Sequence, residues 1–276
     1  MVIKEKLGFD ISDRVTQSGF DKDYVPFSLW TKPYELGLDS LLGINLSELK
    51  RGEELPDSVL KHCRELVPFF GKPEFEWVGI LEKFIDVDFP NSMFIKDFEE
   101  LEKHVAKIHQ VMYAHYVLGK FENLKNSNTG DFFPNNCCGN SSGNVVRSLL
   151  GLDYSSAIRA INRPLDHTYV VIPFLIDGSK EGIIVADPTS DQLFPSLNGK
   201  APRNSVSVFF KREFFYNTEW CGGDNLYPSL AVVYSPVMRF ETSDWRDCKA
   251  GIINLKRKDM DFDHYLSAAF SNPIKI

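Results

Sequence analysis

The chain has 276 residues, enough for one large domain or two small ones. Its 43% hydrophobic and 25% charged residues are those of a soluble globular protein with a substantial core. A net charge of −7 and a pI of about 5.4 argue against nucleic acid and anionic membranes as partners, since both need a basic face.

Residues 1–43 are mixed and aromatic, punctuated by Pro26, Pro33 and Gly37, and read as irregular structure with short helices. NLSELKRGEELPDSVLKHCRELVPFFGKP reads as two helical pieces, with Ser47 capping the first and Pro56 or Asp57 opening the second. In the second, Val59, Leu60, Cys63, Leu66 and Val67 form an apolar stripe at helical spacing, which makes Cys63 a core residue. KDFEELEKHVAKIHQVMYAHYVLGKF is the strongest helix. Phe98, Leu101, Val105, Ile108, Met112 and His115 or Tyr116 recur every three or four residues. Asp97, Glu99 and Glu100 suit its first turn, and Gly119 with Lys120 its end. His104, His109 and His115 are five and six residues apart, whereas histidines that share a metal on one helix stand three or four apart.

Residues 122–136, rich in Asn, Gly and Ser, read as a loop. It divides a mainly helical part, 1–125, from a core of 126–276. A helix follows a few residues after Cys138, marked by Val145, Val146, Leu149 and Leu150. Strands are predicted at 168–176, 182–187, 204–211, 230–238 and 249–256. Asp177-Gly178 signals an antiparallel hairpin between the first two, with a loop longer than the two-residue ideal. WCGGDNLYP, with Trp220, reads as a structural loop, and DFDHYLSAAF as a short helix.

Five cysteines, an odd number in a long chain, do not make a disulfide framework. Cys137 and Cys138 are adjacent, which is poor disulfide geometry, and no CxxC suggests a zinc ribbon. The first fifteen residues lack a signal-peptide apolar core, and no apolar run approaches membrane-spanning length. A cytoplasmic location is the expectation.

The chemistry-bearing residues lie in three successive pieces. NNCCGNSSGNVVRSLLG brings Cys137 and Cys138 to a helix start, DHTYVVIPF opens a strand with His167, and GIIVADPTSDQLF closes the next strand with Asp187. A thiol attacks only as thiolate, and a free pKa of ~8.5 leaves little of it at neutral pH. A helix N-terminus lowers that pKa, a neighbouring imidazole takes the proton, and a carboxylate beyond it fixes the tautomer. The hairpin brings His167 and Asp187 to one end of the sheet, and the helix supplies the thiol from another direction.

This stretch, about residues 130–195, resembles the transglutaminase-like core of the papain-like cysteine enzymes. In that family a helix carries the cysteine, a strand begins with a histidine followed by hydrophobics, and the next strand ends in Asp-Pro-Thr. Tyr169 matches the aromatic the family often has after the histidine. Gly139 and Asn140 depart from the aromatic it often has after the cysteine. The resemblance implies an α+β fold with the cysteine helix on an antiparallel sheet, a nucleophile at Cys138 or Cys137, a base at His167 and an orienting carboxylate at Asp187. The burial spacing of the helix favours Cys138 over Cys137. Asn135 or Asn136, just before the pair, would add a side-chain donor to the oxyanion hole.

The implied reaction is acyl transfer through a thioester, on a peptide, protein or small amide or ester. Water gives hydrolysis, and an amine acceptor gives transglutaminase-type transfer. The mechanism calls for no metal and no cofactor. The alternatives are an acyltransferase using a CoA- or carrier-bound thioester and an inactive binding module, which usually loses the cysteine or the histidine.

Overall fold

The computed structural model describes residues 54–71, 90–122, 124–162, 167–189, 206–210, 238–241 and 259–276. In chain order these form α1 (Asp57–Leu66), β1 (Ser92–Ile95), α2 (Phe98–Phe121), α3 (Cys138–Gly151), β2 (Ile158–Asn162) and β3 (His167–Ile176). Then come β4 (Lys180–Ala186), β5 (Val206–Phe210), β6 (Met238–Glu241), β7 (Asp259–Asp261), α4 (Phe262–Phe270) and β8 (Pro273–Ile274). The class is α+β.

The described strands make one mixed sheet in the order β5-β4-β3-β2-β6-β7. The expectation of an antiparallel sheet is corrected at one place: β1 runs parallel to β3 (Met93↔Phe174) and β8 parallel to β1. Sequence patterning missed β1 because SMFI is too short to show a period. The β3–β4 hairpin is tight. Asp177 and Gly178 take φ of 50° and 67°, as primed hairpin turns require, and the Ser179 N–H bonds the Ile176 carbonyl at 3.0 Å. The predicted strands 230–238 and 249–256 lie almost wholly outside the described residues, only Met238 falling within β6. So does the helix predicted ahead of α1.

β3 is buried along its whole length. Its even-numbered residues Val170, Ile172, Phe174 and Ile176 join one hydrophobic cluster with α1, α2 and α3. Tyr169 and Val171 are buried on the other face. α4 packs on β3, β6 and β7 and buries Tyr265, Leu266 and Ala269 outside that cluster, covering part of this second face. Each aliphatic side chain buried this way contributes about 1.5–3 kcal/mol. The cluster contains residues from Leu55 to Val208, so the core runs across the boundary expected near residue 125.

α2 is capped as its sequence suggests: Asp97 accepts from the Glu100 N–H at 2.9 Å, and the Glu100 carboxylate accepts from the Lys96 N–H. Its end differs. Gly119 does not stop the helix, which runs on to Phe121. The Phe133 ring stands 3.0 Å from where a Gly119 Cβ would be, so this glycine makes room for a neighbour rather than ending a helix. Among the described residues no helix is long and apolar enough to cross a membrane.

Candidate active site

α3 begins at Cys138 itself, earlier than its apolar stripe suggests, with the Ser141 N–H bonded to the Cys137 carbonyl at 2.9 Å. Ser141, Ser142 and Gly143 are poor helix formers, but they are buried, and this packing outweighs propensity. Ser142 turns its hydroxyl back to the Cys138 and Gly139 carbonyls at 2.7 and 3.1 Å. The N–H groups of Cys138, Gly139 and Asn140 precede the first intrahelical bond and point out of the helix end. No acidic side chain in this first turn offsets their positive field.

The loop before the cysteines is held by its own side chains. The Asn126 carboxamide accepts from the Asn128 and Thr129 N–H groups at 2.8 and 3.1 Å and donates to the Asn136 carbonyl. Phe133 plugs the loop into α2 between His115, Tyr116 and Gly119. Asn136 donates its amide to Asp131 at 2.6 Å, which holds that carboxyl below its ordinary range. Asn135 is exposed. Asn136 is thus committed to the loop, and neither asparagine belongs to the hydrogen-bond chain described next.

The two cysteines diverge. Cys137 is buried, its sulfur 3.9 Å from the Asp131 carbonyl oxygen. Cys138 is half-buried and hydrogen-bonds His167. His167 Nε2 lies 2.7 Å from Asp187 Oδ2, leaving Nδ1 as the ring nitrogen for the sulfur. The β3–β4 register explains this contact. It pairs Val170 with Ala186, so the next step sets Asp187 beside Tyr169, on the face that also carries His167. Tyr169 stacks on the imidazole with ring centroids 6.0 Å apart. His167 is 2% exposed and Asp187 0%, whereas Cys138 is half-buried.

The electrostatics follow from these contacts. Burial pushes the Cys138 thiol up, but the His167 hydrogen bond and charge and a Thr168 backbone hydrogen bond outweigh it, and the thiol sits below its ordinary value. Burial pulls His167 down, while the Asp187 charge and hydrogen bond, then Cys138, raise it to about 9. The two shifts run in the directions that favour a thiolate–imidazolium pair. Cys63 shows the contrast: burial and the Glu122 charge raise it to about 12, leaving an inert thiol.

Two partners were not singled out from the sequence. Thr189 bonds Asp187 Oδ1 through its N–H (2.9 Å) and its hydroxyl (3.2 Å). The Asp-x-Thr spacing of a local side-chain turn is the signal that could have found it. Arg159 of β2 reaches the Gly139 carbonyl at 3.5 Å, joining the sheet to the first turn of α3. Nothing local in the sequence marks that contact. No protein-family model, curated protein or solved structure matches this chain.

Proposed function

We propose that the chain is a cysteine-dependent acyl-transfer enzyme of the transglutaminase-like, papain-like type. The observation that carries this reading is the single hydrogen-bonded chain Cys138–His167–Asp187 at the start of α3. The architecture supports it, with a cysteine helix packed on a sheet whose neighbouring strand begins at the histidine.

The Cys138 thiolate adds to the carbonyl carbon of an amide or ester, and the carbonyl π pair moves onto oxygen. The N–H groups at the start of α3 stabilise that oxyanion. His167 gives its proton to the leaving nitrogen or oxygen as the carbonyl bond to it breaks, and a thioester remains. Water or an amine then attacks, His167 takes its proton, and the thiolate is regenerated. Asp187 holds the imidazole in register and stabilises its charged form. Peptides, proteins and small amides or esters are the substrate class. The free thiols of Cys63, Cys137 and Cys138 fit a reducing compartment such as the cytoplasm.

The test is alkylation with limiting iodoacetamide at pH 6, followed by peptide mass spectrometry. Cys138 should be labelled ahead of Cys63, Cys137 and Cys248. Equal, slow labelling of all four would remove the activated thiolate and leave a binding module as the better reading.

A further inference from the structure

Resting on the acyl-transfer reading, we propose that Thr189 is a positioning residue, which clamps one oxygen of Asp187 so that the other stays aimed at His167.

A carboxylate at a strand end can rotate about its last bond, and a rotated one would leave the imidazole unheld. Here the rotation is blocked. Pro188 ends β4 and turns the chain, so that Thr189 comes back over Asp187. Its N–H and hydroxyl then both reach Oδ1, at 2.9 and 3.2 Å, while Oδ2 accepts from His167 at 2.7 Å. All three residues are at most 2% exposed, so water does not readily replace a lost donor. The division of labour is clean: one oxygen is structural and one faces the chemistry.

Among the described residues, the titratable or charged groups around this centre are few. Cys138 comes from α3, His167 and Tyr169 from β3, and Asp187 from the end of β4. Arg159 on β2 bonds the first turn of α3. Thr189 is itself uncharged, so its effect on a titration must pass through Asp187.

The experiment measures the rate of Cys138 alkylation by iodoacetamide from pH 4 to 9 in the full chain. Thr189→Val keeps the shape and the N–H and removes the hydroxyl. The midpoint of thiolate formation should move up by roughly one pH unit, the equivalent of one hydrogen bond to a charged group. Thr189→Ser should restore the wild-type midpoint. In an Asp187→Asn background, Thr189→Val should shift the midpoint no further, since the two act as a unit. A folded Thr189→Val protein with an unchanged midpoint, or additive shifts in the double variant, overturns the proposal. If Thr189→Val does not fold, Thr189→Ser against Thr189→Ala carries the same comparison, and equal midpoints there overturn it as well. Failure of the underlying reading looks different: wild-type Cys138 would show no rapid alkylation at any pH below 7.

Discussion

His167 and Asp187 lie on one face of the β3–β4 hairpin, one diagonal step apart, with Nε2 and Oδ2 at 2.7 Å. Strand register sets the two side by side, and Thr189 fixes the carboxylate's rotation. A slip of one residue would turn Asp187 to the opposite face and separate the pair. The tight turn at Asp177-Gly178 is therefore part of how the site is built, although it lies at the far end of the hairpin.

Replacing His167 with Ala should slow Cys138 alkylation at pH 6 by roughly tenfold, because the thiol loses the hydrogen bond and the charge that hold it below its ordinary value. Cys137→Ser should leave the rate near wild type, since its sulfur faces the Asp131 carbonyl. Rate constants for the separate peptides decide both. A fast His167→Ala protein would mean that the histidine is not the base.

The pH dependence has a definite sign. His167 is raised to about 9, so its pairing stabilises the fold fully below its unfolded value near 6.5 and is lost as pH rises through about 9. Cys138 is lowered, so its thiolate contributes above its ordinary range and is lost as pH falls through the depressed value. Acyl transfer should accordingly be bell-shaped, failing on the alkaline side near 9 as imidazolium is lost. Asp187→Asn should narrow the bell from that side, which a rate profile against a chromogenic ester would read.

Gly119→Ala should displace Phe133, whose ring atoms lie 3.0–3.1 Å from the new methyl group. Overpacking of this kind costs about 1–3 kcal/mol. Phe133 anchors the loop that leads to Cys138, so the change should also slow alkylation of that thiol. Urea unfolding and the labelling rate measure the two effects. Full stability would show that the loop yields without cost.

His115 is fully buried between Phe70 and Phe133, and among the described residues neither ring nitrogen has a hydrogen-bond partner. Burial, with the Arg147 charge adding to it, lowers its pKa to about 3. The unfolded chain binds this proton near pH 6.5 and the folded chain does not, so stability falls with pH below 6.5. Between pH 8 and pH 5 the loss from this residue should be about 2 kcal/mol. His115→Phe should remove that share of the acid sensitivity, as urea midpoints at the two pH values would show. An unchanged pH slope would assign the sensitivity elsewhere.

Local pattern in the sequence was enough for α1, α2, α4 and the β3–β4 hairpin. Each carries a full period of apolar residues or a defined turn signal, and Cys63 fell on the buried stripe of α1 as its spacing required. The nature and order of the thiol, imidazole and carboxylate were legible too, because helix start, strand start and strand end are local positions. Four features needed the folded chain. β1 is too short to show a period and found its parallel place by packing against β3. Gly119 looked like a helix end until Phe133 filled the space beside it. Asn136 stood next to the cysteines in sequence, yet its amide is bound to Asp131. The choice between Cys137 and Cys138 was the closest. Adjacent residues at a helix start point about 100° apart, so the direction in which α3 lies on the sheet decides which sulfur meets His167. That direction is set by Val145, Val146, Leu149 and Leu150 burying themselves together: their spacing favours Cys138, and packing against distant parts of the chain supplies the histidine it faces.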